Sequence, residues 1–361
     1  MSLFNQLQHF PRTEFAALVK KHAAEREAKG FTCWTQFVSM LFCQLARADS
    51  LREICNGLGC CLGRLVHVGM LRSPCRLTLS YANEHRPAAL ARFREQQGLG
   101  ARQHKFRFKN KLLSLDSTTI SLCLTMFPWA KFRRAKGGVK AHVLLDHDDY
   151  LPAYVLLTEA KRSDVKLADS FQLNPGSIVA IDRGYIDYAL FARWSTAGVF
   201  FVTRLKENAA FEVVEECEIP QNRNIRADQF IRLTGAQAQV EYPDLLRRIV
   251  AWDAENEREI VLLTNLMEFG STTIAAIYKD RWQIELFFKA LKQNLSVKTF
   301  VGTTENALRI QIWTALIALL LLKWLHHLSL FTYRELTQWI DNPMGTPPLI
   351  PAAEQLTLAL V

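Results

Sequence analysis

The stretch SIVAIDRGYIDYALFARWSTAGVFFVTRLK, Ser177 to Lys206, decides the fold class. Its two ends, SIVAIDRGY (Ser177 to Tyr185) and VFFVTRLK (Val199 to Lys206), are short apolar and β-branched runs bounded by turn residues, which reads as two strands. Ile186 to Ala197 between them fits one helix. Upstream, LLSLDSTTISLCL (Leu112 to Leu124) and VKAHVLLDHDDYLPAYVLLTEAK (Val139 to Lys161) supply three consecutive strand runs. Three strands followed by strand, helix and strand argue for an α/β sheet rather than a helical bundle.

Outward from this centre the pattern changes on both sides. Between Glu207 and Asn265 the runs FEVVEECEI, QFIRLTG, QAQVEY, LRRIVAWDA and REIVLLTNL are punctuated by Asn, Gly and Pro and read as an all-β insertion. Two helices follow, Thr273 to about Leu295 and Glu305 to about Leu328, and then a Pro-rich polar tail. The N-terminal third reads as helices at Phe15 to Glu27, Trp34 to Ala46 and Ser50 to Leu58, the last opened by a capping Ser. In LRSPCRLTLSYANEHRP, Leu71 to Pro87, Ser73-Pro74 resembles an N-cap with Pro at N1, and the helix behind it carries Arg76, Asn83 and Arg86. Helix, tight turn and polar-basic helix outline a helix-turn-helix DNA reader, and equally an ordinary solvated helix pair. RQHKFRFKNK, Arg102 to Lys111, is a linker or an edge strand. The expected division is residues 1–100 helical and DNA-binding, 105–206 and 266–330 the two parts of a core, 207–265 the insertion, and 331–361 a tail.

Composition narrows the partner. The chain has 361 residues, 49% hydrophobic and 22% charged, which suits a soluble globular protein and excludes fibrous or disordered classes. Its 44 Lys and Arg against 35 Asp and Glu favour a polyanionic partner. Eight cysteines form no CxxC pair and no zinc-type cluster, and no cleavable signal is read, so they are expected as reduced cytosolic thiols packed as small hydrophobes. The most apolar window, Ile310 to Leu325, is interrupted by Gln311 and Lys323 and is short of the ~20 residues a bilayer needs. It is expected as a buried helix, with no membrane partner.

The carboxylates carry the chemistry. Asp116 in SLDSTTI and Asp182 in VAIDRGY each close or interrupt an apolar strand run, where a buried carboxylate needs an ion or hydrogen bonds, or serves as a turn or helix cap. In YKDRWQIELFFKALKQNL, Tyr278 to Leu295, the residues Ile284, Phe287, Phe288, Leu291 and Leu295 form an apolar stripe at 100° per residue. Tyr278, Arg281, Glu285 and Lys292 form a second stripe within about 60° of arc beside it. Glu285 with the two strand-end aspartates can hold two divalent cations that clamp the attacking and leaving oxygens of a phosphodiester. The competing reading of the stripe is an Arg281–Glu285–Lys289 ion-pair ladder worth ~0.3–0.5 kcal/mol per pair. Five cations in KFRRAKGGVK, among them Arg133, Arg134 and Lys136, fit a loop along a phosphate backbone or a solvated hairpin tip. His142 and Asp146 read as satisfied polar residues, Asp187 as a helix cap, and Arg183 as a DNA contact or a partner of a carboxylate.

The spacing Y-x2-R-x3-E-x6-K, met as Tyr278, Arg281, Glu285 and Lys292, resembles the signature of the insertion-sequence-four family of DDE transposases. LDSTTI with FPWAKFRRAKGGVKAHVLLD resembles that family's first catalytic block, and AIDRGY with FFVTRLKEN its second. The resemblance implies an RNase H-like core, a mixed sheet flanked by helices, with a β-rich insertion between the second Asp and the Glu. It implies that Asp116, Asp182 and Glu285 are the catalytic, metal-binding triad for two Mg2+ ions, with Mn2+ as a substitute. It further implies that Tyr278, Arg281 and Lys292 contact DNA near the cleaved phosphate; Lys289 is expected as a DNA contact beside them, and Trp252 is the Trp of the insertion on which, as in some members, a flipped base would stack. The implied activity is cut-and-paste transposition: binding of terminal inverted repeats, hydrolysis at the element's ends and joining of 3′ ends to target DNA. A dimer or larger synaptic complex in the cytoplasm, associated with the nucleoid, is the expected form. The alternatives are a sequence-specific DNA-binding protein without chemistry and an RNase H-like nuclease without strand transfer.

Overall fold

The computed structural model describes residues 10, 12–25, 30–61, 63–86, 106–133, 136–162, 164–221, 223–294 and 300–328, without the side chains of 132, 133, 136, 165, 166, 293, 294 and 324–328. In chain order the elements are α1 (Arg12–Lys21), α2 (Cys33–Leu45), α3 (Leu51–Gly59), α4 (Arg76–His85), β1 (Leu112–Leu122), β2 (Lys131–Arg133), β3 (Lys136–Asp146), β4 (Leu151–Glu159), α5 (Asp164–Ala168), β5 (Ile178–Ile181), α6 (Tyr188–Thr196), β6 (Phe200–Arg204), β7 (Phe211–Glu216), β8 (Ile225–Leu233), α7 (Ala236–Glu241), β9 (Leu246–Asp253), β10 (Arg258–Thr264), α8 (Ser271–Asp280), α9 (Trp282–Asn294) and α10 (Glu305–Leu328). They fall into two compact units. One comprises Met1–Leu99, Ile120–Gly138 and Lys289–Val361, and the other Gly100–Thr119 and Val139–Phe288.

The second unit is built on the sheet. Strand order runs β4-β3-β1-β5-β6-β10-β9-β8-β7, with β5 parallel to both β1 and β6 and the remaining registered pairs antiparallel. Alternate residues of the strands face opposite sides, as the two-residue period requires. Leu113, Leu115, Val179, Ile181 and Phe201 join a cluster on one face with Leu190, Phe191 and Trp194 of α6, and Phe191 stacks on Phe201 at 4.1 Å. Leu112, Ile178, Ala180 and Val202 face the other way, onto Ile274, Ile277 and Tyr278 of α8. The mixed sheet flanked by helices is therefore as expected, and Asp187 caps α6 by accepting the Leu190 N–H at 2.8 Å.

Two expectations change here. The insertion is not all-β: Ala236–Glu241, most of QAQVEY, forms α7, because Ala, Gln and Glu favour the helix there and Val240 is the one β-branched residue among them. The insertion strands continue the core sheet, since β10 pairs with β6 and carries β9, β8 and β7 onto it. The single helix expected from Thr273 divides at Arg281 into α8 and α9, where the Arg281 N–H donates to the Tyr278 carbonyl and the Ile284 N–H to the Arg281 carbonyl. These tight i→i−3 bonds replace the α-helical ones at the joint.

In the first unit α2 packs on α3, α4 and α10. Thr32 and Ser50 cap α2 and α3 by accepting the Thr35 and Glu53 N–H groups. Phe10, Phe15, Trp34 and Phe37 form a cluster of tilted rings, with Phe15 edge-on to Trp34 at 5.4 Å. Ser73 is not a cap: its hydroxyl donates to the Cys55 carbonyl at 2.7 Å, and α4 begins behind Cys75. The helix α10 packs on α2 and α4, where Asn306 donates to the carbonyls of Asn83 and Arg86. Among the described residues Glu305–Lys323 is the one window long and apolar enough to cross a membrane, and 72% of it is buried inside the protein, as the helix of a core is. All eight cysteines are free thiols, with Cys33, Cys43 and Cys61 buried but Cys60, Cys75 and Cys123 exposed, so the hydrophobe role holds for some of them. The 331–361 tail lies outside the described residues.

A candidate active site of three carboxylates and an arginine

Strand register brings the first two carboxylates together. β1 and β5 are paired in parallel from Leu112↔Ile178 to Leu115↔Ile181, so Asp116 and Asp182 are the next residues on adjacent strands. Counting by twos from Leu112 and Ile178, both fall on the face covered by α8. Glu285, in the first turn of α9, comes from that same side. Local hydrogen bonds fix each aspartate: Asp116 accepts the Ser117 N–H at 2.7 Å, and Asp182 caps the 3-10 turn Arg183–Tyr185 through the Gly184 N–H at 3.4 Å. The turn-cap reading of Asp182 thus holds alongside its place in the carboxylate group.

Arg281 ties the group together. Its guanidinium donates to Asp116 Oδ2 at 3.4 Å and to Glu285 Oε1 at 3.0 Å. Arg204 of β6, on the same face, donates to Asp182 Oδ1 at 3.4 Å. Burial pushes the Asp116 carboxyl up to about 6; the nearby Asp182 and Glu285 charges add to this, against the Ser117 N–H and Arg281. Burial also pushes the Tyr278 phenol up, so it remains a hydrogen-bond donor at neutral pH. The Arg281 guanidinium lies 5.5 Å from the Tyr278 ring centroid. The Tyr278 hydroxyl and the Nε atoms of Arg281 and Arg204 are buried without a hydrogen-bond partner. Each such donor costs about 1–3 kcal/mol until something accepts from it.

Two aspartates and a glutamate are hard oxygen donors, the kind of set that suits Mg2+ or Mn2+. Among the described residues no three carboxylate, imidazole or thiolate groups stand at the spacing of a formed metal centre. The guanidinium of Arg281 supplies the positive charge between Asp116 and Glu285 in this arrangement. The donor chemistry therefore fits a divalent cation, provided Arg281 gives way.

Other expected residues lie elsewhere. Lys289 is exposed and Lys292 half-buried on α9. Trp252 of β9 is half-buried beneath the Arg226 guanidinium, 5.8 Å from its ring centroid. Arg76 is exposed, but Asn83 is buried and accepts from Gln36 at 2.9 Å, so it faces the helix core and not a groove of DNA. Arg86 is turned inward too, donating to the Phe31 carbonyl and to Gln36. These two correct the helix-turn-helix contact set. Arg134 and the side chains of Arg133 and Lys136 lie outside the described residues. Arg183 reaches Glu207 at 3.5 Å. Asp146 pairs with Lys111 at 2.7 Å, whereas His142 Nδ1 has no hydrogen bond and sits 3.4 Å from Asp164. Sequence reasoning missed Arg204 and Asp164. The first was signalled by a cation on the strand following Asp182, two residues beyond Val202; the second, in a loop-like KRSD, carried no pattern.

Residues 107–321 match the family described as Transposase DDE domain, and residues 1–71 match a Domain of unknown function (DUF4372). A protein of Sinorhizobium fredii named as a transposase, y4zB, is 34% identical over 259 residues, covering 70% of this chain and 71% of that protein. One from Geobacillus stearothermophilus, named as the transposase of insertion sequence element IS5377, is 31% identical over 62% of this chain and 59% of its own length. The transposase InsG of insertion sequence element IS4 from Escherichia coli is 24% identical over 44% of this chain and 37% of its own length. Among solved structures, a piggyBac transposase synaptic complex with hairpin DNA aligns with a TM-score of 0.39 and 9% identity, covering 69% of this chain and 57% of that one, too distant to bear on the site.

Proposed function

The chain belongs to the insertion-sequence-four family of DDE transposases, with an RNase H-like core, and on that premise we propose that Asp116, Asp182 and Glu285 are its catalytic carboxylates. The observation that carries this reading is the parallel register ending at Leu115↔Ile181, beyond which both aspartates share the sheet face from which Arg281 bridges Asp116 to Glu285. The reaction is cleavage at the element's terminal inverted repeats and joining of the 3′ ends to target DNA. Two Mg2+ ions held by the three carboxylates, or Mn2+ in their place, would supply Lewis-acid activation of the phosphodiester and of the attacking oxygen.

The chain's own residues do the rest. Arg281 leaves Asp116 and Glu285 for the phosphate, where its unpartnered Nε and the Tyr278 hydroxyl gain acceptors. Arg204 holds Asp182 in place from β6. Lys289, Lys292 and the Lys131–Lys140 segment follow the flanking backbone, and Arg76 contributes from the N-terminal helices. Two such subunits act together on paired ends.

The test is cleavage of a duplex carrying the element's end in Mg2+, with Asp116→Asn and Glu285→Gln beside the parent. The variants should bind the duplex and cut it about 10^3-fold more slowly, as loss of several kcal/mol of charge stabilisation requires. Equal cutting by variant and parent overturns the assignment. Retention of ends without cutting by the parent would leave a DNA-binding protein, and cutting without end preference or joining would leave a nuclease.

A further inference from the structure

Behind the carboxylates lies a second connection between the sheet and the α8–α9 joint. Ser114 is two residues before Asp116 on β1 and is completely buried. Its Oγ lies 2.6 Å from Nε2 of His147, the first residue beyond β3, and His147 Nδ1 lies 2.6 Å from Oδ2 of Asp280. Asp280 ends α8 and immediately precedes Arg281; the Tyr150 hydroxyl donates to the same Oδ2 at 3.3 Å. With the Asp280 carboxylate accepting, Nδ1 carries an imidazole proton, and the Ser114 hydroxyl bonds the other ring nitrogen, Nε2. The order Ser, His, Asp is that of a hydrolytic triad, but a Ser114 with no exposed surface meets no substrate.

Two rungs therefore join β1 to the helix joint: the charged Asp116–Arg281–Glu285 and the buried Ser114–His147–Asp280. On the reading of the site given above, the first rung must open when Arg281 moves to phosphate. We propose that Ser114, His147 and Asp280 are positioning residues, a buried relay that holds the strand of Asp116 to the helix joint ahead of Glu285, so that the two carboxylates can close on a divalent cation once Arg281 has left them. It is suited to this because its members are closed off from solvent and bond neither the cation nor DNA, so they stay joined through the reaction.

The test follows the rise in thermal unfolding midpoint of the full chain as Mn2+ is added, for the parent, Ser114→Ala, Asp280→Asn, their double variant and Asp116→Ala. Ser114→Ala and Asp280→Asn should each require about tenfold more Mn2+ for half of the maximal rise. The double variant should add little, as members of one relay do. Binding of the end-bearing duplex without metal should match the parent. A lowered midpoint of unfolding combined with the parental Mn2+ requirement would make the relay merely structural and overturn the proposal, as would loss of the folded state in both single variants. A parent that does not respond to Mn2+, or an Asp116→Ala variant that responds like it, sinks the metal reading itself and the proposal with it.

Discussion

His142 is wholly buried on β3, with Nε2 3.0 Å from the Thr158 hydroxyl and Nδ1 3.4 Å from Asp164. Asp164 also accepts from Ser117 and from Lys140, each at 3.0 Å. Burial lowers the His142 pKa to about 4; Lys140 and Arg162 push the same way, and Asp164 opposes them. The folded value lies below the unfolded one, so the neutral ring's stability is present above about pH 6.5 and is lost as pH falls toward 4. His142 alone should remove on the order of 2 kcal/mol of unfolding free energy between pH 7.5 and pH 5. Urea unfolding at both values, for the parent and His142→Gln, measures it: the variant's pH slope should be shallower, and equal slopes would refute the assignment. A polar residue inside an apolar strand run was legible as buried, but its partner Asp164 was not, because a contact between a strand and a short connecting helix leaves no periodic trace. Asp116 and Asp182 were legible as carboxylates at the ends of apolar strand runs, whereas their common face shows only in the register of β1 with β5. Asn83 was misread for the converse reason: polarity on a helix says nothing of whether the polar group faces water or another amide such as Gln36.

Elements were legible wherever one period held over the whole segment. β1, β4, β5 and β6 fall within the runs read as strands and α6 within the run read as a helix, while β3 starts at Lys136, three residues ahead of its run. The division between α8 and α9 was not, since the residues around Arg281 keep helical dihedrals and only the hydrogen-bond spacing tightens. What aims α8 is equally silent in sequence. Arg247 of β9 forms a two-point pair with Asp228 of β8, at 2.8 and 2.7 Å, and donates its third nitrogen to the carbonyls of Met267 and Phe269 just ahead of α8. Both side chains are buried, so removing one leaves an uncompensated charge. Asp228→Ala should lower the unfolding free energy by about 3–5 kcal/mol in urea. A change below 1 kcal/mol would mean that the carbonyls of Met267 and Phe269 suffice for Arg247.

For the whole molecule, charge was legible and assembly was not. Asn306 meets the end of α4 across more than two hundred residues of chain, and no local pattern announces such a pairing. The excess of cations needs no contact map to act: each Lys or Arg that neutralises a DNA phosphate releases counterion, so log affinity falls with log salt by about 0.9 per contact. The Lys131–Lys140 segment concentrates five of them. Gly137 within it sits where an added Cβ would lie 3.1 Å from the Leu122 carbonyl oxygen and 3.3 Å from that of Ala130, so the backbones crowd together at this end of β3. If that end follows a phosphate backbone, Arg133→Gln with Lys136→Gln should reduce the salt slope for end-bearing duplex by about two and weaken unrelated duplex to the same degree. Binding titrations from 50 to 300 mM salt would read the slope. An unchanged slope would return the segment to a solvated hairpin tip and leave α9 and the N-terminal helices as the DNA-facing cations.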